Sequence, residues 1–266
     1  MRPRAIAAVV VVLLGAGAAI AGSDDKTGID PAARSQLEQV AAAYRGLAHY
    51  ADEGRFVTAF DFDGKLSERV TPLKWTVARS DDPKAPLKLR LEGGMVTVVA
   101  DGSRLVQAVG PTRRYLVTSP QPTPLRPDTL TEGPAGAELL GGPSAGASRI
   151  LLALLLTDDA PARLLETGTT LQVWPAAEGE TTPIGLILTT PSGLRARLAI
   201  EPSTHLLKRI ELTSADASPG AEIVPGRSLR SVRLVWEAGN VTTDPAPPPA
   251  AFQWTAPEGY VELKQP

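Results

Sequence analysis

The spacing of apolar residues changes period along the chain. After Asp30-Pro31, the positions Leu37, Val40, Ala41, Tyr44, Leu47, Ala48 and Ala51 recur at three- and four-residue intervals, the stripe of an amphipathic helix. Asp30 suits the N-cap, Pro31 the first turn and Gly54 the C-terminal stop, so a helix of about five turns is predicted. The period then becomes two. Phe56, Thr58, Phe60 and Phe62 share one parity, as do Leu73, Trp75 and Val77. Leu87, Leu89 and Leu91 alternate with Lys88, Arg90 and Glu92, the pattern of a half-buried strand. Further strands are predicted over 95–101, 103–110 and 113–119. Gly64, Gly93-Gly94, Asp101-Gly102 and Gly110-Pro111 punctuate them. Such short links favour antiparallel hairpins, because a parallel crossover takes about a dozen residues or more.

Ser119 to Gly136 contains Pro120, Pro122, Pro124, Pro127 and Pro134. It reads as an extended surface segment rather than a core element. Ile150 to Leu156 is apolar on every side, which predicts a short buried helix. Asp159 can cap a second short helix running through Leu165 and stopping near Gly168. Strands resume near 170–175, 184–190, 194–201, 205–213 and 228–236. Asp244 to Ala250 is proline-rich, and Phe252, Trp254 and Tyr260 offer groups by which the tail can pack back on the body. The pattern gives a mainly β (α+β) chain of about eleven strands and three helices, without an internal repeat. Its expected divisions are a flexible stretch over 22–32, one domain over 33–243 and a tail over 244–266.

Met1 to Ala21 reads as a secretory signal peptide. Arg2 and Arg4 form its basic start, Ala5 to Leu14 its apolar run, and Ala19-Ile20-Ala21 fits the small-x-small cleavage rule. An uncleaved anchor is the rival reading, but the run falls short of the roughly 20 residues a spanning helix needs. Cleavage implies a periplasmic or secreted protein with no stable transmembrane span. Composition narrows the chemistry. The chain has no cysteine, two histidines, and 27 basic against 29 acidic groups. Disulfides, thiolate metal sites and a lipidated cysteine are excluded. The near balance of charge gives no nucleic-acid signal.

Two motifs look catalytic. Phe60-Asp61-Phe62-Asp63-Gly64-Lys65-Leu66 resembles the DxDGT motif of haloacid-dehalogenase-type phosphatases. In that family the first Asp is the nucleophile, the second the acid/base, and Mg²⁺ clamps the phosphate. Here Lys65 replaces the usual Thr or Val, and no βαβ rhythm follows. An Asp-Gly hairpin turn explains the same residues. Gly142-Pro143-Ser144-Ala145-Gly146 matches the G-x-S-x-G elbow, with Asp158 or Asp159 and then His205 in hydrolase order. Leu139-Leu140 is too short to supply the strand an elbow needs. His49 lies off the helical stripe and reads as a surface histidine. Asp24-Asp25, Asp52-Glu53, Asp81-Asp82 and Asp158-Asp159 read as turn or cap residues. Arg113, Arg114, Arg227, Arg230 and Arg233 read as the solvated faces of strands. No catalytic residue, metal site or cofactor is assigned.

The order of segments carries more than any motif. Tyr50-Ala51-Asp52-Glu53-Gly54, Thr71-Pro72-Leu73, Val98-Val99-Ala100-Asp101-Gly102 and Arg113-Arg114-Tyr115 come first. The Leu151-to-Asp159 segment and Ile200-Glu201-Pro202-Ser203-Thr204-His205-Leu206-Leu207-Lys208-Arg209-Ile210 follow. Together, over roughly 33–213, the chain resembles LolA-like domains of the lipoprotein-carrier superfamily. The likeness runs to members often joined to a thioredoxin-like domain, whose C-x-x-C this chain cannot carry. The resemblance implies a half-open antiparallel barrel whose N-terminal and central helices plug the concave face. In carrier members that hollow holds acyl chains. The expectation is a non-enzymatic domain binding a lipid or acylated partner. Phe60, Phe62, Trp75, Leu89, Leu91 and Val99 are the candidate lining residues, assigned by strand parity, which a one-residue slip reverses. An envelope interaction or structural module with a filled core is the alternative, and a phosphatase using Asp61 and Asp63 the third.

Overall fold

Asp30 opens the first helix, α1 (Pro31–Gly46), by accepting hydrogen bonds from the N–H groups of Ala32 (2.8 Å) and Ala33 (3.4 Å). The computed structural model describes residues 28–264 except 83, 137–138, 140–144, 167, 175–184, 192, 215–220 and 225–226. The predicted signal peptide lies outside the described residues. Ala33, Leu37, Val40, Ala41 and Tyr44 form the buried stripe of α1. The helix stops at Gly46, earlier than its apolar spacing predicts. Leu47 is already extended, and residues 49–54 belong to the first strand. The competing force is sheet pairing. Tyr50 sits opposite Val77, and Arg79 bonds the backbone oxygens of both Leu47 and Ala48. An apolar run this short fits either period, so the tertiary partner decides.

Strands β1 (His49–Phe62) and β2 (Lys65–Ala78) make a long hairpin. Its tip is Asp63-Gly64, with φ of 54° and 80°. Positive φ at both central residues defines the type I′ turn, whose twist matches the flanking strands. The meander continues through β3 (Lys88–Gly93), β4 (Val96–Ala100), β5 (Leu105–Val109) and β6 (Arg114–Thr118). Three helices follow: α2 (Pro127–Thr131), α3 (Ala145–Leu156) and α4 (Ala160–Leu164). The sheet then resumes with β7 (Thr170–Trp174), β8 (Gly185–Thr189), β9 (Leu194–Ile200), β10 (Leu207–Ser214), β11 (Ala221–Val224) and β12 (Arg227–Glu237). A 3-10 turn (Pro249–Phe252) and β13 (Val261–Leu263) end the chain. All strands join one sheet in the order β13-β6-β5-β4-β3-β2-β1-β12-β10-β9-β8-β7, with β11 beside β12. Every pairing is antiparallel except β13 on β6. The result is a mainly β (α+β) architecture, as expected: one open, largely antiparallel sheet with helices over one face, with β11, β13 and α2 added to the expected elements.

Register defines two faces, since directly paired residues share one. Tyr50, Val77, Leu89, Ala100 and Leu105 form one row across β1 to β5. Leu171, Leu188, Ala196, Leu212 and Leu234 form another across β7 to β12. Both rows are buried and lie on the inner face, beneath the helices, in one contiguous apolar core. Thus β1 divides an N-terminal wing (β2–β6) from a C-terminal wing (β7–β10 and β12).

The 119–136 segment is not the surface strap its prolines predict. Leu125, Leu130 and Ala135 are buried in the core, and Gly133 lies against the Gln107 side chain of β5. Gln121 ties the segment down by accepting from the Gly102 N–H and donating to the Leu87 carbonyl, both at 2.8 Å. The prolines hide a sparse apolar set that the wing needs as cover. The tail covers the outer face of the same wing. Phe252 is buried, Arg90 donates to the carbonyls of Ala251 and Gln253, and Trp254 packs between Tyr115 and Tyr260.

Candidate ligand cavity

Trp75, Leu89 and Leu91 all lie on the inner face of the N-terminal wing and are fully buried in the core. Phe60 and Phe62 share that face farther along β1, their rings stacked at 6.0 Å, outside the main core cluster. Val99 is a correction. Leu91 pairs with Val98, whereas Val99 pairs with Arg90 and Val106 on the outer face. The uniformly apolar run Val96, Val98, Val99, Ala100 hides its parity, because both faces of β4 are covered. Trp75, Leu89 and Leu91 belong to the buried apolar core cluster.

A cavity of about 600 Å³ lies instead over the C-terminal wing. Its floor is Leu188, Ala196 and Leu212, successive members of one cross-strand row. Its roof is Ile150 and Ala153 of α3 with Leu164 of α4. α3 is buried nearly all round, as its apolar run predicts, and Asp159 caps α4 through the Ala162 N–H. Gly146 lets α3 approach the sheet, since a Cβ there would meet Leu212 at 2.5 Å. Asp128, Arg149, Arg163 and Glu166 mark the rim, with Arg163 paired to Asp128 at 3.3 Å. An apolar interior of this size with a few polar groups at its edge is suited to a small ligand or a chain. Its residues come from elements far apart in sequence, so no local motif marks them.

A buried polar group escapes the sequence reading altogether. Asp52 lies within β1, not in a turn, and is 1% exposed on the inner face opposite Trp75. Its Oδ1 accepts from the Gly239 N–H at 2.8 Å, and its Oδ2 has no hydrogen-bond partner among the described residues. Burial pushes its carboxyl up to about 6, opposed by the Gly239 N–H and reinforced by Glu53. Gly54 is required beside it, since a Cβ would approach Glu237 O to 2.5 Å and Asp52 Oδ2 to 2.9 Å. Nearby, the Tyr44 hydroxyl accepts from the Leu207 N–H, and burial raises the Tyr44 and Tyr50 phenols far above the ordinary range. Extending the even parity of Phe56 back through Gly54 and Tyr50 exposes Asp52 as a buried carboxylate, but the helix assignment masked that parity.

The catalytic look-alikes resolve differently. Asp61 points to the opposite face from Phe60 and Phe62, and its Oδ1 caps the hairpin turn through the Gly64 N–H at 2.8 Å. Asp63 sits in the turn itself. The motif joins two antiparallel strands, so the strand-to-helix step of a phosphatase nucleophile is missing and that reading is unsupported. Residues 142–144 of the G-x-S-x-G match lie outside the described residues. His205, at φ 58°, occupies the turn before β10 with its N–H on Glu201 O. His49 is half-buried at the start of β1, not a freely exposed surface group. Among the described residues, no group of three His, Asp or Glu could hold a metal, and no helix is long and apolar enough to cross a membrane.

No protein-family model matches the chain, and no curated protein matches it significantly. Solved structures do. One is MucB, at 16% identity over 85% of this chain, with a TM-score of 0.41. A putative outer membrane lipoprotein-sorting protein domain from Vibrio parahaemolyticus matches at 7% identity over 79% of this chain and 92% of its own, with a TM-score of 0.37. A LolA superfamily protein from Nitrosomonas europaea matches at 11% identity over 84% of this chain and 97% of its own, with a TM-score of 0.29. The chain spans 64% of the MucB chain it matches.

Proposed function

We propose that the protein is a non-enzymatic, exported LolA-like domain that holds a lipid or acylated partner in the cavity beneath α3 and α4. The observation that carries this reading is the apolar cavity of about 600 Å³ between Ile150, Ala153, Leu188, Ala196 and Leu212. Its volume lies within the roughly 300–1,000 Å³ of ligand pockets. In this reading Trp75, Leu89 and Leu91 are packing residues of the neighbouring wing, Val99 packs beneath the tail, and Phe60 and Phe62 stiffen the long hairpin. The ligand-facing wall moves to the C-terminal wing. Native mass spectrometry of protein purified from membranes tests it. The wild type should carry lipid or take it up from vesicles, and Ala196→Trp, which fills the cavity, should not. A wild type that is empty and ignores added lipid would overturn the reading.

The packed N-terminal wing supports a second reading, an envelope interaction module whose helices complete the core. It predicts that protein from membranes is lipid-free and that Ala196→Trp leaves its partner binding unchanged. Export rests on the Met1–Ala21 pattern, and N-terminal sequencing of cell-derived protein should begin at Gly22.

A further inference from the structure

The β1–β2 hairpin outruns the rest of its wing. β2 pairs with β1 along its whole length, Lys65 to Ala78, but with β3 only from Leu73 onward. The outer side of 65–72 therefore has no strand partner among the described residues, and nearly all of these side chains are exposed. Leu66 is 69% exposed and Val70 51%, two of the three large apolar side chains most open to solvent among the described residues. An open strand edge is a template for another strand unless it is blocked. Pro72 blocks only its far end, because it lacks an N–H.

Hydrogen-bond parity specifies which groups are free. A two-residue turn makes Phe62 and Lys65 a hydrogen-bonded pair, and such pairs alternate. Lys65, Ser67, Arg69 and Thr71 thus spend their backbone groups on β1, while Leu66, Glu68 and Val70 aim theirs outward. Arg79, in the same odd-numbered set, confirms the phase by donating to Ala48 O at 2.8 Å. The outward residues also share one face, on which Glu68 stands between Leu66 and Val70. The other face presents Lys65, Ser67 and Arg69.

We infer that this edge accepts an extended segment of another polypeptide as an added antiparallel strand. Charge complementarity defines the segment. Opposite Val70, Arg69, Glu68, Ser67, Leu66 and Lys65 it places, in order, apolar, acidic, basic, polar, apolar and acidic side chains. A second copy fits worse. Antiparallel self-pairing that sets Leu66 against Val70 also sets Glu68 against Glu68, and like charges directly opposite are destabilising.

The test uses the full chain and two fluorescent peptides, Thr-Val-Glu-Lys-Thr-Val-Glu-Thr and its charge-swapped form Thr-Val-Lys-Glu-Thr-Val-Lys-Thr. The first should bind at least tenfold more tightly, and the preference should narrow in high salt. Val70→Pro removes an outward N–H without touching the β1 ladder and should abolish binding at unchanged circular dichroism. Should that variant fold poorly, Glu68→Lys provides the second arm. It should bind best a peptide carrying Glu in place of the central Lys. Equal binding of both peptides, no change of preference in Glu68→Lys, or a wild-type dimer that neither peptide dissociates would each overturn the inference. None of these readouts depends on whether the cavity holds lipid.

Discussion

The two wings are built alike and filled differently. Each presents an alternating apolar inner face to the helices, and each keeps its row residues buried. In the N-terminal wing large groups meet over that face: Trp75, Tyr50, Leu89 and Leu91, with Leu130 brought in by the proline-rich segment. In the C-terminal wing small groups face one another. Ala196 lies on the floor, Ala153 in the roof, and Gly146 at the closest approach of α3. A cavity remains there even though Ile150, Ala153, Leu188, Ala196 and Leu212, which line it, are as shielded from solvent as the rest of the core. Burial of single residues thus does not distinguish a filled face from a hollow one. The sizes of the residues that oppose each other do.

The largest expected effect probes the filled wing. Trp75→Ala should cost about 3–5 kcal/mol, the range for deleting a large aromatic from a packed core. Leu188→Ala, whose site already borders empty space, should fall near the lower end of the roughly 2–5 kcal/mol range for core leucines. Denaturant midpoints at a common m-value measure both. Equal losses would mean that the wings are packed alike.

The next effect belongs to Asp52, the one fully buried carboxylate among the described residues, on the inner face of β1 opposite Trp75. Burial holds its folded-state value at about 6, above the ordinary aspartate value of 3.8. Below the lower value both states are protonated. Between the two the folded state retains the proton more firmly, so stability falls as pH rises, and the loss is complete above about 6. The full difference is worth at most about 3 kcal/mol, at roughly 1.4 kcal/mol per unit. Asp52→Asn keeps an acceptor for the Gly239 N–H and should flatten this slope in a urea series from pH 4 to 7. A slope that persists in the variant would place the titration elsewhere.

Much of the architecture was legible because each strand repeats a simple alternation. Leu89 and Leu91 against Lys88 and Arg90 gave one face unambiguously, and Asp30-Pro31 gave the start of α1. Where both faces are covered the code fails. Val98 and Val99 are equally apolar, so only the register against Leu91 and Arg90 separates them. The end of α1 failed for a related reason. Leu47, Ala48 and Ala51 satisfy a helical stripe, but pairing with β2 fixes them as an extended link and strand. The cavity was not legible at all, because it exists only where α2, α3 and α4 meet the inner face of β8, β9 and β10.

A matched pair of insertions sharpens the contrast between wings. Ala100 and Ala196 both occupy inner-face rows and are both buried. Ala100→Phe overpacks a filled region and should cost about 1–3 kcal/mol. Ala196→Phe can place its ring in the adjoining cavity and should change stability by less than about 1 kcal/mol, with either sign. Thermal unfolding of the two variants beside wild type reads the difference directly. A larger loss for Ala196→Phe would reverse the assignment of the hollow wing.

The smallest effect tests what holds the roof over both wings. α1 begins at the C-terminal wing, where Asp30 N donates to Leu171 O at 2.9 Å on β7, and ends beside Tyr50 on β1, to which Tyr44 packs. Its N-cap is bonded at 2.8 Å, whereas that of α4, at the cavity's edge, reaches its N–H only at 3.4 Å. Asp30→Ala should cost about 1 kcal/mol and Asp159→Ala less, within the roughly 0.5–2 kcal/mol range for lost caps. Native-state hydrogen exchange should show the Asp30 effect along the first turns of α1 with global protection little changed, and the Asp159 effect confined to α4. If Asp159→Ala also speeds lipid exchange while Asp30→Ala does not, α4 is the movable side of the cavity and α1 its fixed support. If both act alike, the roof moves as one piece, and the boundary between the wings does not extend into the helices.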